Sequence, residues 1–139
     1  IKHQKLRQAL SDSQSNQTTN IAVELINTLY DKTAIETLAS SFSEDEVSSI
    51  YNEFVLSARN KLIRCQNLID QHPEQCIKLL HRQASTALQL GFNRYGMELK
   101  KIERRLLDNK PHNGMLDEAL DLWQRSLEKY LKFVRSELG

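Results

Sequence analysis

His81 is the residue of this chain whose type and surroundings could carry nucleophilic chemistry. It begins the string His-Arg-Gln-Ala-Ser-Thr-Ala-Leu-Gln-Leu-Gly, which has helical character. A neutral imidazole is a nucleophile near neutral pH and can hold a phosphoryl group, which carries about two negative charges. Lys78, one turn earlier, and Arg82, the next residue, could offset that charge. Ser85, one turn later, lies beside the ring. A nucleophilic imidazole with these neighbours could hold a phosphoryl group on one helix face.

The composition is that of one ordinary helical domain. Of the 139 residues, 40% are hydrophobic and 27% are charged, with only four Gly and two Pro. These values favour helix over sheet. The net charge of +1 provides no global attraction for nucleic acid or anionic lipid. No apolar run approaches the roughly 18 residues of a membrane span, and two cysteines suit reduced thiols in a cytoplasmic domain.

Polarity divides the chain near residue 20. We expect residues 1–19 to be the tail of a preceding region followed by a polar linker. Residues 11–19 have too few apolar side chains to form an ordered structure of their own. Residues 20–139 should form the helical domain. Its first short helix should carry Ala22 to Leu29, and a capping box at Thr33 should open a second short helix.

Longer helices follow with clear boundary signals. Ser43-Glu44-Asp45-Glu46 predicts a capping box, and Pro73 suits the first turn of the next helix. That helix should stop at Gly91, and further helices are expected near 93–107 and 115–138. Short loops make neighbouring helices antiparallel. The fold class predicted is therefore all-α, an antiparallel up-down four-helix bundle with one or two short N-terminal helices.

The hairpin around Gln71 predicts two cross-helix neighbours. Antiparallel pairing there brings Cys65 beside Cys76 and sets His81 near Asn60. The thiols fit either a packed core layer or a redox pair, and Asn60 could orient the imidazole. His81 itself should lie on the helix shoulder, about 65° from the core stripe. An ordinary surface histidine is the alternative interpretation of that position.

The segment around His81 resembles the histidine-containing phosphotransfer (HPt) domain, the four-helix carrier of bacterial phosphorelays. That family has His-x-x-Lys-Gly, then a Gly ten residues after the His, which is Gly91 here. Ile102-Glu103 matches a family Leu-Glu or Ile-Glu pair, and Phe54 matches a recurrent Phe. The resemblance covers residues 43–107 in detail and 20–138 in helix layout.

Two positions depart from the HPt signature. Ala84 replaces the family lysine, which offsets phosphoryl charge, and Ser85 replaces the family glycine, which leaves space for a partner. Lys78 or Arg82 could take over the role of the lysine. The alternative is a degenerate HPt-like domain that docks a partner protein without phosphotransfer.

The resemblance implies a defined role. His81 would accept a phosphoryl group from the aspartate of a response-regulator receiver domain and pass it to another receiver. The domain would bind no cofactor and no ATP, since Mg²⁺ belongs to the receiver. It would work as a cytoplasmic monomer within a hybrid sensor histidine kinase. Direct membrane contact is not expected, although the parent chain could be membrane-anchored.

Two other function classes find little support in the sequence. A di-iron helical bundle needs Glu-x-x-His on two helices, and no histidine of this chain has Glu three residues before it. Nucleic-acid binding could use Lys100, Lys101, Arg104 and Arg105. Glu103 interrupts that run, which favours a solvated helix face and no nucleic acid.

Overall fold

The chain folds into α-helices alone over residues 28–137, the part that this computed structural model describes. The all-α fold class is confirmed. The helices are α1 (Thr33–Ala39), α2 (Glu44–Leu68), α3 (Pro73–Gln89), α4 (Asn93–Leu107) and α5 (Met115–Glu137). The predicted linker and most of the first short helix lie outside the described residues. Within those residues, none of the helices has the length and apolarity to cross a membrane.

Local sequence signals set the starts of α2 and α3. Ser43 and Glu46 form the predicted capping box: the Ser43 side chain accepts from the Glu46 N–H, and the Glu46 carboxylate accepts from the Ser43 N–H. These bonds lower the pKa of Glu46 below its usual range. Pro73 occupies the first turn of α3, where its missing N–H costs no helical hydrogen bond.

The predicted cap at Thr33 is wrong. Helix α1 already includes Thr33, and its N-cap residue is Lys32, which makes no side-chain cap. The Asp31 carboxylate accepts instead from the Thr33 N–H at 3.0 Å and from its hydroxyl at 2.8 Å. A carboxylate near a helix N-terminus satisfies otherwise unpaired N–H groups and opposes the positive end of the helix dipole.

Helix packing encloses one hydrophobic core. Helices α3 and α4 pack most extensively, α2 packs against both α3 and α5, and α4 packs against α5. Phe92, in the turn between α3 and α4, is fully buried. Its ring stacks on Phe54 of α2 at 5.5 Å and meets Trp123 of α5 edge-on at 5.1 Å. These contacts join three helices at one end of the core.

Leu90 turns into the core at the end of α3. The helical period of α3 puts Leu79 and Leu90 on its solvent side, but Leu90 is only 1% exposed and Leu79 packs against the core. The Leu90 carbonyl accepts a hydrogen bond of 2.7 Å from the Tyr51 hydroxyl. Leu90 lies beyond the last helical residue, where the chain turns inward and the helical period no longer applies.

Gly91 ends α3 as predicted, in a Schellman motif. Its N–H donates to the Leu88 carbonyl, and the Phe92 N–H donates to the Ala87 carbonyl. The motif needs a left-handed residue, and Gly91 has φ +93°. The Gly91 carbonyl also accepts from the Asp31 N–H at 2.8 Å, which fastens the segment before α1 to this turn.

Replacing Gly91 with Ala should lower the free energy of unfolding by about 3 kcal/mol. A Cβ there would be strained by the positive φ and would overlap the Asp31 carbonyl oxygen. Gly114→Ala is the matched control, because Gly114 has φ +79° but no atom within 4 Å of an added Cβ. It should cost about 1 kcal/mol. Urea unfolding followed by Trp123 fluorescence measures both, and equal losses would contradict the steric argument.

Candidate functional site

The imidazole of His81 is exposed at the surface of α3 and held on one edge. Its side chain is 66% accessible, and Nδ1 lies 3.0 Å from Oε2 of Glu103 on α4, whose side chain is 15% accessible. A carboxylate accepts hydrogen bonds and does not donate them. Nδ1 therefore carries the proton, and in the neutral ring Nε2 has the free lone pair. The arrangement presents a nucleophilic nitrogen to solvent in a fixed orientation.

Small residues between α3 and α4 bring His81 and Glu103 together. A Cβ added to Gly96 of α4 would lie 2.7 Å from the Cγ of Leu88 and 3.2 Å from the Ala84 carbonyl oxygen. Only a residue without a side chain fits there. Glu103 lies two turns after Gly96 on the same side of α4. The close approach at Gly96 thus places Glu103 within reach of the histidine.

Three predicted site residues lie on the outer surface of α3 near His81. Lys78, Arg82 and Ser85 are all exposed. The Ser85 hydroxyl donates to the His81 carbonyl at 3.0 Å, an i to i−4 bond within the helix. It is occupied by the backbone and makes no hydrogen bond to the imidazole ring. Lys78 and Arg82 form no ion pair with any residue in the described range 28–137.

The structure pairs the imidazole of His81 with a residue other than Asn60. Asn60 is exposed on α2 and makes no hydrogen bond to His81 within the described part of the chain. The group that holds the ring is Glu103. Sequence periodicity does not reveal that contact, because in the sequence Glu103 is visible only as part of a family motif and as an interruption in a basic run. The sequence signal that could have identified Glu103 was its position one residue after the buried Ile102, at the edge of the buried face of α4.

Ala84 is fully buried, which explains why no lysine occupies this position. Its exposed fraction is 0%, and its carbonyl oxygen borders Gly96 of α4. A long charged side chain here would have to displace α4 or lose its hydration. The close α3–α4 packing and a lysine at position 84 are therefore mutually exclusive in this fold.

Cys65 and Cys76 lie side by side in the core, as the hairpin predicted. Both thiols are free and buried. A hydrogen bond between the two side chains, together with burial, raises the pKa of the Cys65 thiol. Nucleophilic cysteines are accessible to their substrates, whereas both of these thiols are buried. The pair fits the packing interpretation better than the redox interpretation.

Away from His81, the described structure bears on two other kinds of site, a metal site and a ligand-binding groove. Residues 28–137 contain no group of three or more His, Cys, Asp or Glu side chains arranged to hold a metal ion. A groove of about 450 Å³ between α4 and α5 mixes Arg94 and Arg125 with four carboxylates. None of the residues lining it belongs to α3, so it is separate from the His81 surface.

No known protein family, no curated protein and no solved structure matches this chain. The interpretation of the site therefore rests on the geometry of its own residues.

Ala84→Lys should lower the free energy of unfolding by about 3 kcal/mol or more, because the ammonium group would enter the α3–α4 contact. Ser85→Lys is the matched control on the neighbouring, exposed position and should cost about 1 kcal/mol or less. Urea unfolding of both variants measures the difference. A fully stable Ala84→Lys protein would show that α3 and α4 can separate at this level.

Proposed function

We propose that the chain is a phosphoryl carrier of the HPt type, with His81 as the acceptor. The observation that carries the proposal is the hydrogen bond between Nδ1 of His81 and Glu103 on an otherwise accessible ring. An unsupported surface histidine would sample many ring orientations and both tautomers. Holding one nitrogen while exposing the other is an arrangement that favours nucleophilic transfer.

In the proposed step, Nε2 of His81 attacks the phosphorus of an aspartyl phosphate on a receiver domain. The Nε2–P bond forms, the P–O bond to the aspartate breaks, and its electron pair leaves with the carboxylate. The imidazole, which keeps its Nδ1 proton, becomes positively charged. Glu103 stabilises that charge through the existing hydrogen bond. Reversal of the step on a second receiver would pass the phosphoryl group on, with Mg²⁺ supplied by the receiver.

The helix layout we propose is an antiparallel up-down bundle of α2 to α5. Its support is the pattern of packing, in which each of these four helices contacts two of the others: α2 with α3 and α5, and α4 with α3 and α5. Such a closed ring joined by short turns is typical of four-helix bundles. As part of the same proposal, the domain acts in the cytoplasm as a monomer and belongs to a hybrid sensor kinase.

The direct test is phosphorylation by a phosphorylated receiver domain. We expect acid-labile, base-stable label on the wild-type chain and none on His81→Gln. His72→Gln is the matched control, because His72 is an exposed histidine at the start of α3, and it should label normally. Equal labelling of His81→Gln and wild type would rule out His81 as the acceptor.

The second candidate function is receiver docking without transfer, and the buried Ala84 favours it because the HPt lysine is missing. The same experiment separates the two functions. A wild-type chain that binds the receiver but takes no label from any phosphorylated receiver would leave docking as its function.

Removing the Glu103 carboxylate should slow labelling of His81. We expect Glu103→Ala to reduce the rate about tenfold, which corresponds to about 1.4 kcal/mol and to the loss of one charge-assisted hydrogen bond. Glu98→Ala is the control on the same helix, since Glu98 lines the groove facing α5. Initial labelling rates measure both. A Glu103→Ala rate equal to wild type would show that the ring needs no orienting partner.

A further inference from the structure

We propose that Lys100 of α4 supplies the positive charge that balances a phosphoryl group on His81. The inference deepens the proposed function and rests on it. The charge to be balanced is large, because the phosphoryl group brings about two negative charges. The Glu103 carboxylate lies 3.0 Å from the other ring nitrogen and adds a third. A positively charged imidazole offsets only one of them.

Lys100 lies on the side of α4 that contacts α3. It comes four residues after Gly96 and three before Glu103, so the three positions share one helix side. Gly96 borders Leu88 and Ala84, and Glu103 bonds to His81. Position 100 therefore lies between these two contacts along α4. From there a flexible four-carbon stem can bring the ammonium group to the space above the exposed imidazole.

The cations of α3, Lys78 and Arg82, lie away from the side of α3 that contacts α4. Relative to the Ala84–Leu88 edge that borders α4, His81 is rotated about 40° around α3, Lys78 about 100° and Arg82 about 140°. They approach His81 from its opposite flank. A phosphoryl group on the outward-facing nitrogen of His81 thus has Lys78 on its α3 side, and α4 is the element that can supply a cation from the other side.

Other charges of α4 do not fill that position. Arg104 is bonded to Asp108 at 3.2 Å, which draws its guanidinium toward the end of the helix. Lys101 is exposed but is rotated about 100° from Lys100, away from α3. Lys100 is itself exposed and, among residues 28–137, its ammonium group has no ion-pair partner. It is the free cation on the α3 side of α4 in the described structure.

The test uses phosphoramidate, a small donor whose reaction needs no protein docking. Nε2 attacks phosphorus, the P–N bond breaks, and ammonia leaves. We expect Lys100→Gln to label about fivefold more slowly than wild type, whereas Lys101→Gln, which loses the same charge, stays within about twofold. Lys100→Arg should restore most of the rate. The Lys100→Gln defect should shrink in 1 M salt, where charges are screened over about 3 Å.

Each outcome decides between the two proposals. If wild type labels on His81 and Lys100→Gln matches Lys101→Gln, the Lys100 inference is wrong while the proposed function stands. If Lys100→Arg is as slow as Lys100→Gln, the position matters for a reason other than charge, and the inference is again wrong. If wild type takes no label from phosphoramidate or from a phosphorylated receiver, both proposals fail together.

Discussion

The close approach of α3 and α4 at Gly96 is the constraint on which the surface around His81 depends. A glycine on α4 meets Leu88 and the Ala84 backbone on α3, and no side chain fits between them. Two turns further along α4, the same proximity lets Glu103 reach the imidazole of His81. The constraint also buries Ala84, which excludes a long side chain from the position three residues after the histidine. This packing contact therefore brings Glu103 to the imidazole and also keeps a long side chain out of position 84.

The turn at Gly91 fixes the far end of the same helix pair. Its left-handed backbone closes the Schellman motif of α3 and turns Phe92 into the aromatic core, against α2 and α5. The segment before α1 is hydrogen-bonded to this end of the helix pair: the Asp31 N–H donates to the Gly91 carbonyl, and the Thr28 carbonyl accepts from the Arg94 N–H of α4. Packing at that end therefore holds α3 and α4 in register with the rest of the core. The loss of rotational freedom in α3 is what gives an exposed histidine a defined direction.

The contact between His81 and Glu103 contributes more to direction than to stability. Water screens an ion pair or hydrogen bond in which one partner is as exposed as His81, and such a contact adds about 1 kcal/mol or less to folding. Its chemical effect is larger, because it selects one tautomer and places the free nitrogen outward. Surrounding it with Lys78 on one flank and Lys100 on the other would leave room for an anionic group above the ring. Positioning and charge balance are the means by which such an exposed surface can act.

The sequence by itself determined the helical fold class and most helix boundaries, because these depend on local signals. The Ser43 capping box, Pro73 and Gly91 act within a few residues of the chain, and the structure places α2 and α3 accordingly. The sequence also singled out His81 and the proximity of Cys65 to Cys76. Tertiary structure decided that Glu103, and not Asn60, holds the imidazole, and that Leu90 is buried. The hydrophobic period of a helix indicates which face is buried, but the distance and register between neighbouring helices are set by packing across the whole contact, and no local pattern encodes them.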